Sequence, residues 1–388
     1  MLYGDHYRQI YLKGLAGEKP ELPVDWAELE AAAEEAMEPA PADYVYATAG
    51  TGDTYRENRD AFARWRIVPR MLRDVAERDL TTELLGQTLP APVLLAPIGV
   101  QTSAHPDGER ATARAAATLG LPMVISTASD TSMEDIAEAS GDGPRWYQLY
   151  WPADEGVARS LVDRAEASGC DALVVTADNY IPGWKPRDLQ RAELPFIKGV
   201  GVAQFFTDPV FRAALEKTPE EDLGAAVGHY LGVFVNPSLT WDDLERLRSW
   251  TSLPILVKGI LHPDDAVEAR ERGVDGIVVS NHGGRQVDGA IATIDALPQI
   301  ADAVGSDLAI LLDSGVRSGS DAFRALALGA DAILLGRPWI WGLALAGESG
   351  VEEVLRRYLA ELDLTMALSG HTKPTQLGPE ALHRQHLG

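Results

Sequence analysis

The stretch Val278-Val279-Ser280-Asn281-His282-Gly283-Gly284-Arg285-Gln286 ends an apolar run in a histidine, two glycines and an arginine. The run Gly276 to Val279 is too short and too β-branched for a helix, so it reads as a buried strand delivering His282 and Arg285 at its C-terminal end. Neutral imidazole near its ordinary pKa takes a proton at physiological pH. A guanidinium keeps its charge and matches a carboxylate with two parallel hydrogen bonds. The pair suits an anionic substrate that must lose a proton. The plainer reading is a histidine in a polar turn, and Gly283-Gly284 speaks against it, because glycines there let another group approach the backbone closely.

The elements that must position this pair follow from the hydropathy pattern. From Pro92 onward short apolar runs recur at Val93 to Ile98, Met123 to Thr127, Trp146 to Tyr150, Ala172 to Thr176, Ile255 to Val257, Ile277 to Val279, Ala309 to Leu312 and Ala332 to Leu335. Helical segments rich in Ala, Leu, Glu and Arg separate most of them, such as Glu109 to Leu119 and Pro263 to Arg272. Eight strands alternating with helices predict an α/β TIM (β/α)8 barrel, whose site lies at the C-terminal strand ends. A doubly wound open sheet is disfavoured, since no strand is followed by a G-x-G-x-x-G turn. Residues 1–75 are predicted to form an N-terminal helical segment, with Trp26 to Met37 helical and Asp25 as its cap, ahead of a barrel spanning 76–388. The stretch after the fourth strand, Asn179 to Leu239 (about 179–239), is longer than the usual connection and is expected to form a lid.

Read off in order, the strand ends carry Ala96-Pro97-Ile98-Gly99, Ser126-Thr127, Gln148 with Tyr150, Thr176 with Asp178, Lys258, His282 with Arg285, Asp313-Ser314-Gly315 with Arg317, and Gly336-Arg337. So many polar groups at one rim call for a ligand or water to satisfy them. The glycines and arginines at the seventh and eighth ends form an anion cradle, which implies a phosphorylated cofactor. Lys258 could form a Schiff base, pair with a rim carboxylate or stabilise charge developing on a cofactor ring. The last role suits a flavin, with Gln148, Thr176 and Ser126 serving its pyrimidine edge. Asp178, two residues past Thr176, shares its direction along a strand and could orient a histidine; its alternative role is a helix cap. No H-x-x-x-H or clustered carboxylates suggest a metal.

Composition narrows the partners. Against 34 Lys and Arg stand 58 Asp and Glu, a formal net charge of −24 with no basic run, which argues against nucleic acid or an anionic membrane. An anionic substrate must therefore meet local arginine and lysine. The single cysteine, Cys170, excludes an internal disulfide and a cysteine metal cluster. Neither a signal segment nor a membrane-length apolar run appears, so a cytoplasmic protein is expected.

Ser280 to Gln286, together with Ala96-Pro97, Gln148-Leu149-Tyr150, Thr176-Ala177-Asp178, Lys258-Gly259 and Asp313 to Arg317, resembles the signature of the FMN-dependent α-hydroxy acid oxidising family. That family includes glycolate oxidase, lactate oxidase, lactate 2-monooxygenase and mandelate dehydrogenase, and the resemblance runs from about Tyr46 to the C-terminus. It implies a TIM barrel that binds FMN. The cofactor set is then Ala96, Pro97, Ile98, Ser126, Gln148, Thr176, Lys258, Ser280, Asp313 and Gly315, with the phosphate at Arg317, Gly336 and Arg337. The resemblance further implies His282 as the active-site base, Asp178 as its partner, Arg187 with Arg285 as the carboxylate clamp, and Lys258 beside flavin N1. Tyr46, rather than Tyr44, and Tyr150 are the implied substrate tyrosines.

Within the family, Gly183 to Leu189, Pro97 to Val100 and the N-terminal Tyr11, Gly14-Leu15 and Pro23 look most like lactate 2-monooxygenase. The implied reaction converts L-lactate and oxygen to acetate, carbon dioxide and water. Its alternatives are an oxidase releasing the 2-keto acid and hydrogen peroxide, and a flavin-binding sensor without catalysis. Gly99 stands where relatives tend to carry alanine, and the missing methyl is expected to enlarge the pocket beside the cofactor. A homo-oligomer, tetramer or octamer, is also implied.

Overall fold

Residues 2–385 are described by a computed structural model in which eight parallel strands close into a barrel. They are β1 (Val93–Leu95), β2 (Met123–Ser126), β3 (Arg145–Leu149), β4 (Leu173–Thr176), β5 (Ile255–Ile260), β6 (Gly276–Val279), β7 (Ala309–Leu312) and β8 (Ala332–Leu335). Each pairs with the next, and β8 returns to β1. Helices including Gly108–Leu119, Glu155–Ala167, Pro263–Glu271 and Gly319–Ala327 follow the strands and cover the barrel outside.

Side-chain alternation along a strand decides what each residue meets. Leu94, Val124, Trp146, Val174, Leu256, Val278, Leu311 and Leu334 form one buried cluster inside the barrel, and Leu84 and Leu89 of the hairpin Thr82–Leu84/Gln87–Leu89 belong to it. Their neighbours Val93, Leu95, Ile125, Tyr147, Val175, Val257 and Ile277 face the helices in a second, larger core. Two residues beyond the interior set, the inward positions become Ser126, Gln148, Thr176, Lys258 and Ser280, all buried polar groups. Two further along β3, β4 and β6 come Tyr150, Asp178 and His282. The barrel thus grades from apolar packing to hydrogen bonding to chemistry along single columns.

Ahead of the barrel lie α1 (His6–Leu15), α2 (Trp26–Ala36), α3 (Pro39–Tyr46) and α4 (Asp53–Arg64). Asp25 caps α2 as expected, accepting from the amides of Ala27 and Glu28. The C-terminal helical run Arg337–Leu368, kinked at Ala346-Gly347 into two helices, holds this segment, its Glu361 Oε2 accepting from Trp26 Nε1 at 2.8 Å. The stretch after β4 is helical in pieces, among them Pro186–Arg191, Ala203–Phe206, Pro209–Ala213 and Leu223–Val233. Phe205, Tyr230 and Phe234 knit it together, with ring centroids 4.9 Å apart for both Phe205–Tyr230 and Tyr230–Phe234. Gly201 and Ala203 amides tie it to Asp130 Oδ1 and Ser129 O after β2. Among the described residues no helix is long and apolar enough to cross a membrane.

Candidate functional site

The C-terminal ends of the strands open into one cavity of about 380 Å³, closed on one side by the stretch after β4. Its wall contains Tyr44, Ala96, Pro97, Ile98, Ser126, Tyr150, Lys258, His282, Arg285, Asp313, Gly315, Arg317, Gly336 and Arg337. Most of the residues singled out by spacing therefore converge. Gln148 and Thr176 lie just beneath, with Gln148 Nε2 donating to Thr176 Oγ1 at 2.9 Å and Ser126 Oγ donating to Gln148 Oε1 at 3.2 Å.

His282 has a left-handed φ of 57° in the short turn His282–Gly284. Helix α4 fixes that turn. Asn58 and Asn281 exchange side-chain amide bonds at 2.8 and 2.7 Å, and Asp288 accepts from the amides of Thr51, Asp53 and Thr54 at the start of α4. Gly284 is needed for this contact, since a Cβ there would lie 2.7 Å from the Tyr55 nitrogen. From the other side Ser314 Oγ accepts from the Gly283 amide at 2.9 Å and donates to Asp313 Oδ1 at 2.6 Å.

With the turn held, His282 Nδ1 meets Asp178 Oδ1 at 2.8 Å and Nε2 faces Tyr150 Oη at 3.3 Å. Burial pulls the imidazole pKa below its ordinary value; Asp178 opposes this, while Lys258 and Arg285 add to it. Burial acts the other way on Asp178, but His282 and Lys258 outweigh it and hold the carboxyl below its usual range. His282 is thus neutral at pH 7, with an anion placed to stabilise its cation. Gly259 makes room for that carboxylate: at φ 114° its absent Cβ would sit 2.7 Å from Asp178 Cβ. Lys258 Nζ donates to Ser280 Oγ at 2.9 Å and lies 3.4 Å from Asp313 Oδ2. Burial pulls its pKa down, yet Asp313 and Asp178 prevail and raise it, so the ammonium stays charged.

At the β7 and β8 ends Arg317 and Arg337 are buried with an unpartnered Nη2 each, and both flank the Tyr55 ring. Burial, then Arg317 and Arg285, pushes the Arg337 pKa down to about 9. Two guanidiniums confined together with orphaned donors fit a phosphate dianion. The FMN set fits accordingly: arginines for the phosphate, Lys258 and the Gln148–Thr176–Ser126 network for a polar ring edge, and Ala96-Pro97-Ile98 for an apolar face.

Three expectations need correction. Tyr46 does not reach the cavity: its hydroxyl donates to Glu30 O at 3.1 Å, and Tyr44 stands on the wall instead, its ring 5.3 Å from Arg285 Cζ. The reason is helical phase. Pro39 at the first position starts α3, and residues two apart on a helix point in nearly opposite directions. Arg187 is also turned away, half-exposed and paired with Glu34 Oε1 at 3.2 Å and Asp43 Oδ1 at 3.7 Å. Lys185 occupies the wall in its place, Nζ donating to Gln286 Oε1 at 3.4 Å, with Asp188 nearby. Finally, a methyl on Gly99 would strike Ala128 O at 2.5 Å and Ala128 Cβ at 2.8 Å. The glycine therefore lets the loops after β1 and β2 touch rather than adding room to the cavity.

Sequence reasoning also passed over the aromatic and aliphatic wall from the lid, formed by Leu194, Phe196, Leu231, Phe234 and Val235. Arg285, as expected, is at the site. One of its nitrogens, Nη1, is held by Tyr44 O at 2.8 Å and Ala47 O at 3.0 Å at the end of α3, which fixes the guanidinium on the wall.

Comparison with known proteins gives a consistent result. The family described as FMN-dependent dehydrogenase matches residues 33–384. An L-lactate oxidase of Lysinibacillus sphaericus is 44% identical over 363 residues, covering 94% of this chain and 93% of that protein. Human 2-hydroxyacid oxidase 1 is 44% identical over 331 residues, covering 84% and 88%. A crystal structure of mandelate oxidase superposes with a TM-score of 0.82 at 38% identity, covering 93% of this chain and 98% of that one.

Proposed function

Because the chain belongs to the FMN-dependent dehydrogenase family of α-hydroxy acid oxidoreductases, we propose that it oxidises a small L-2-hydroxy acid, L-lactate first, as a 2-monooxygenase. The observation that carries the oxidative step is the His282–Asp178 pair at 2.8 Å, facing Tyr150 and Arg285 across a cavity that also holds Lys258. Bound FMN supplies the two-electron acceptor that oxygen re-oxidises.

Arg285, fixed on its carbonyls, holds the substrate carboxylate and thereby orients the α-carbon. Neutral His282 takes a proton at Nε2, and Asp178 stabilises the imidazolium through Nδ1–H. Tyr44 and Tyr150, their phenols pushed up by burial, stay protonated and act as hydrogen-bond donors. Lys258 offers fixed positive charge where the cofactor set implies anionic character in the reduced ring.

The monooxygenase outcome is supported by the lid. Leu194, Phe196, Leu231, Phe234 and Val235 fold over the cavity and can retain the keto acid. Oxygen takes two electrons and two protons to give hydrogen peroxide, which attacks C2 of retained pyruvate. The O–O and C1–C2 bonds then break to leave acetate, carbon dioxide and water. An oxidase is the second reading, favoured if the lid opens before that attack. A homo-oligomer belongs to the same proposal. It is supported by exposed Tyr180, Ile181, Trp184 and Leu189 on the segment after β4, and a monomer by light scattering would remove it.

The test is oxygen uptake on L-lactate with acetate and peroxide assayed together. Acetate without peroxide is expected. Peroxide with pyruvate would make it an oxidase, and a flavoprotein that no 2-hydroxy acid reduces would instead be a sensor.

A further inference from the structure

The phosphate cradle is walled by aromatic rings where buried arginines ordinarily meet an acid. Arg317 and Arg337 are both buried, and their polar contacts are with backbone carbonyls. Arg317 Nη1 donates to Val316 O at 3.0 Å, while Arg337 Nε and Nη1 donate to Val45 O at 3.3 Å and Gly283 O at 3.4 Å. Among the described residues neither guanidinium forms an ion pair with a carboxylate. Tyr55 faces both instead, its ring centroid 5.9 Å from Arg317 Cζ and 5.1 Å from Arg337 Cζ. Trp341 adds a second ring 5.5 Å from Arg317 Cζ.

The kind of partner decides what the arginines can still do. A carboxylate occupies the N–H donors of a guanidinium, and an incoming phosphate must displace it. A ring attracts the cation through its π cloud and competes for none of those in-plane donors. Each arginine here keeps an Nη2 without a partner. Two buried cations also repel each other, and an electron-rich ring offsets part of that cost before any phosphate arrives.

Tyr55 is in turn tied to the N-terminal segment. Its hydroxyl donates to Glu30 Oε1 of α2 at 3.2 Å, and the Glu30 carbonyl accepts from Tyr46 Oη at 3.1 Å. The Glu30 carboxylate is thereby engaged by a phenol and kept off the guanidiniums, yet its charge still reaches them. Burial, then Arg317 and Arg285, lowers the Arg337 pKa, and Glu30 is among the groups that oppose them. We propose that Tyr55 is a positioning residue that makes the site selective for a phosphorylated flavin. Its ring holds Arg317 and Arg337 in place with donors left open, and its bond to Glu30 makes α2 part of the cofactor site. The inference rests on FMN as the cofactor and is independent of which acid is oxidised.

The experiment strips flavin from the full-length protein and titrates it back with FMN or with riboflavin, following the quenching of flavin fluorescence. Riboflavin lacks the phosphate. The ratio of the two dissociation constants therefore reads the cradle, and the riboflavin constant reports whether the remainder of the site is folded. Tyr55→Leu should weaken FMN by about five- to thirtyfold, the range of cation–π contacts shielded from water, and leave riboflavin within about twofold. Tyr55→Phe, which keeps the ring, should hold FMN within about threefold of wild type. The proposal is overturned if Tyr55→Leu binds FMN as tightly as wild type, or if it weakens both flavins equally, the mark of a merely structural residue. It is also overturned if Tyr55→Phe loses as much as Tyr55→Leu, which would assign the effect to the hydroxyl alone. A wild type that shows no preference for FMN over riboflavin would remove the phosphate site itself, whereas an unchanged preference in Tyr55→Leu removes only the role of the ring.

Discussion

Replacing Asp178 with asparagine isolates the carboxylate that distinguishes a catalytic histidine from a structural one. The His282 Nδ1–Asp178 Oδ1 contact is 2.8 Å and largely shielded from solvent. A hydrogen bond to a charged partner in such a setting contributes about 1.5–3 kcal/mol. That stabilisation grows in the transition state, as His282 becomes imidazolium, so flavin reduction should slow by about ten- to a hundredfold. The electrostatics supply a second signature. Burial, Lys258 and Arg285 already hold the imidazole pKa below its ordinary value, with Asp178 opposing. Without the carboxylate the pKa falls further. The acid limb of the reduction rate therefore moves to lower pH while the plateau drops. Stopped-flow anaerobic reduction from pH 5 to 8, normalised to bound flavin, reads both. A rate within twofold of wild type would refute the reasoning, as would a lowered plateau with an unmoved acid limb, the signature of mere misplacement.

Further substitutions probe the rest of the site. Tyr44→Phe should raise KM several-fold with little effect on thermal stability, whereas Tyr46→Phe should leave kinetics intact and cost about 0.5–1.5 kcal/mol through its lost bond to Glu30 O. Steady-state kinetics and thermal melts on the pair decide between the two tyrosines. Arg317→Leu should weaken FMN by about ten- to a hundredfold, the worth of one charged bond to the phosphate, without weakening riboflavin, which lacks it; equal losses for both ligands would place the phosphate elsewhere.

How much of the site was legible in the sequence depends on the backbone that carries each residue. On β3, β4, β5 and β6 the inward column advances by two, so Trp146, Gln148 and Tyr150, or Val278, Ser280 and His282, can be read directly from a short apolar run and the polar residues just past its end. The strand ends were accordingly located well, and the helices between them shifted by no more than a few residues. Both misplaced side chains instead lie where a short helix begins with proline. On α3 a step of two residues turns the side chain by about 200°, exchanging Tyr44 for Tyr46. Before the helix Pro186–Arg191, Lys185 is extended at φ −108° and faces the cavity, while Arg187, one residue into the helix, faces Glu34 and Asp43. The proline was the available signal in both cases. Gly99 was illegible for another reason: what an absent methyl would touch depends on Ala128, 29 positions later in a neighbouring loop, and no local pattern records that contact.

The central claim is that the cavity joins a flavin to an α-hydroxy acid through His282. Its most direct test is the visible spectrum of the purified protein, taken anaerobically before and after L-lactate, with His282→Gln alongside. A yellow protein that L-lactate bleaches, and a yellow variant that bleaches slower by orders of magnitude, is the predicted result. A colourless protein that does not take up FMN, or a variant that bleaches at the wild-type rate, would contradict the account.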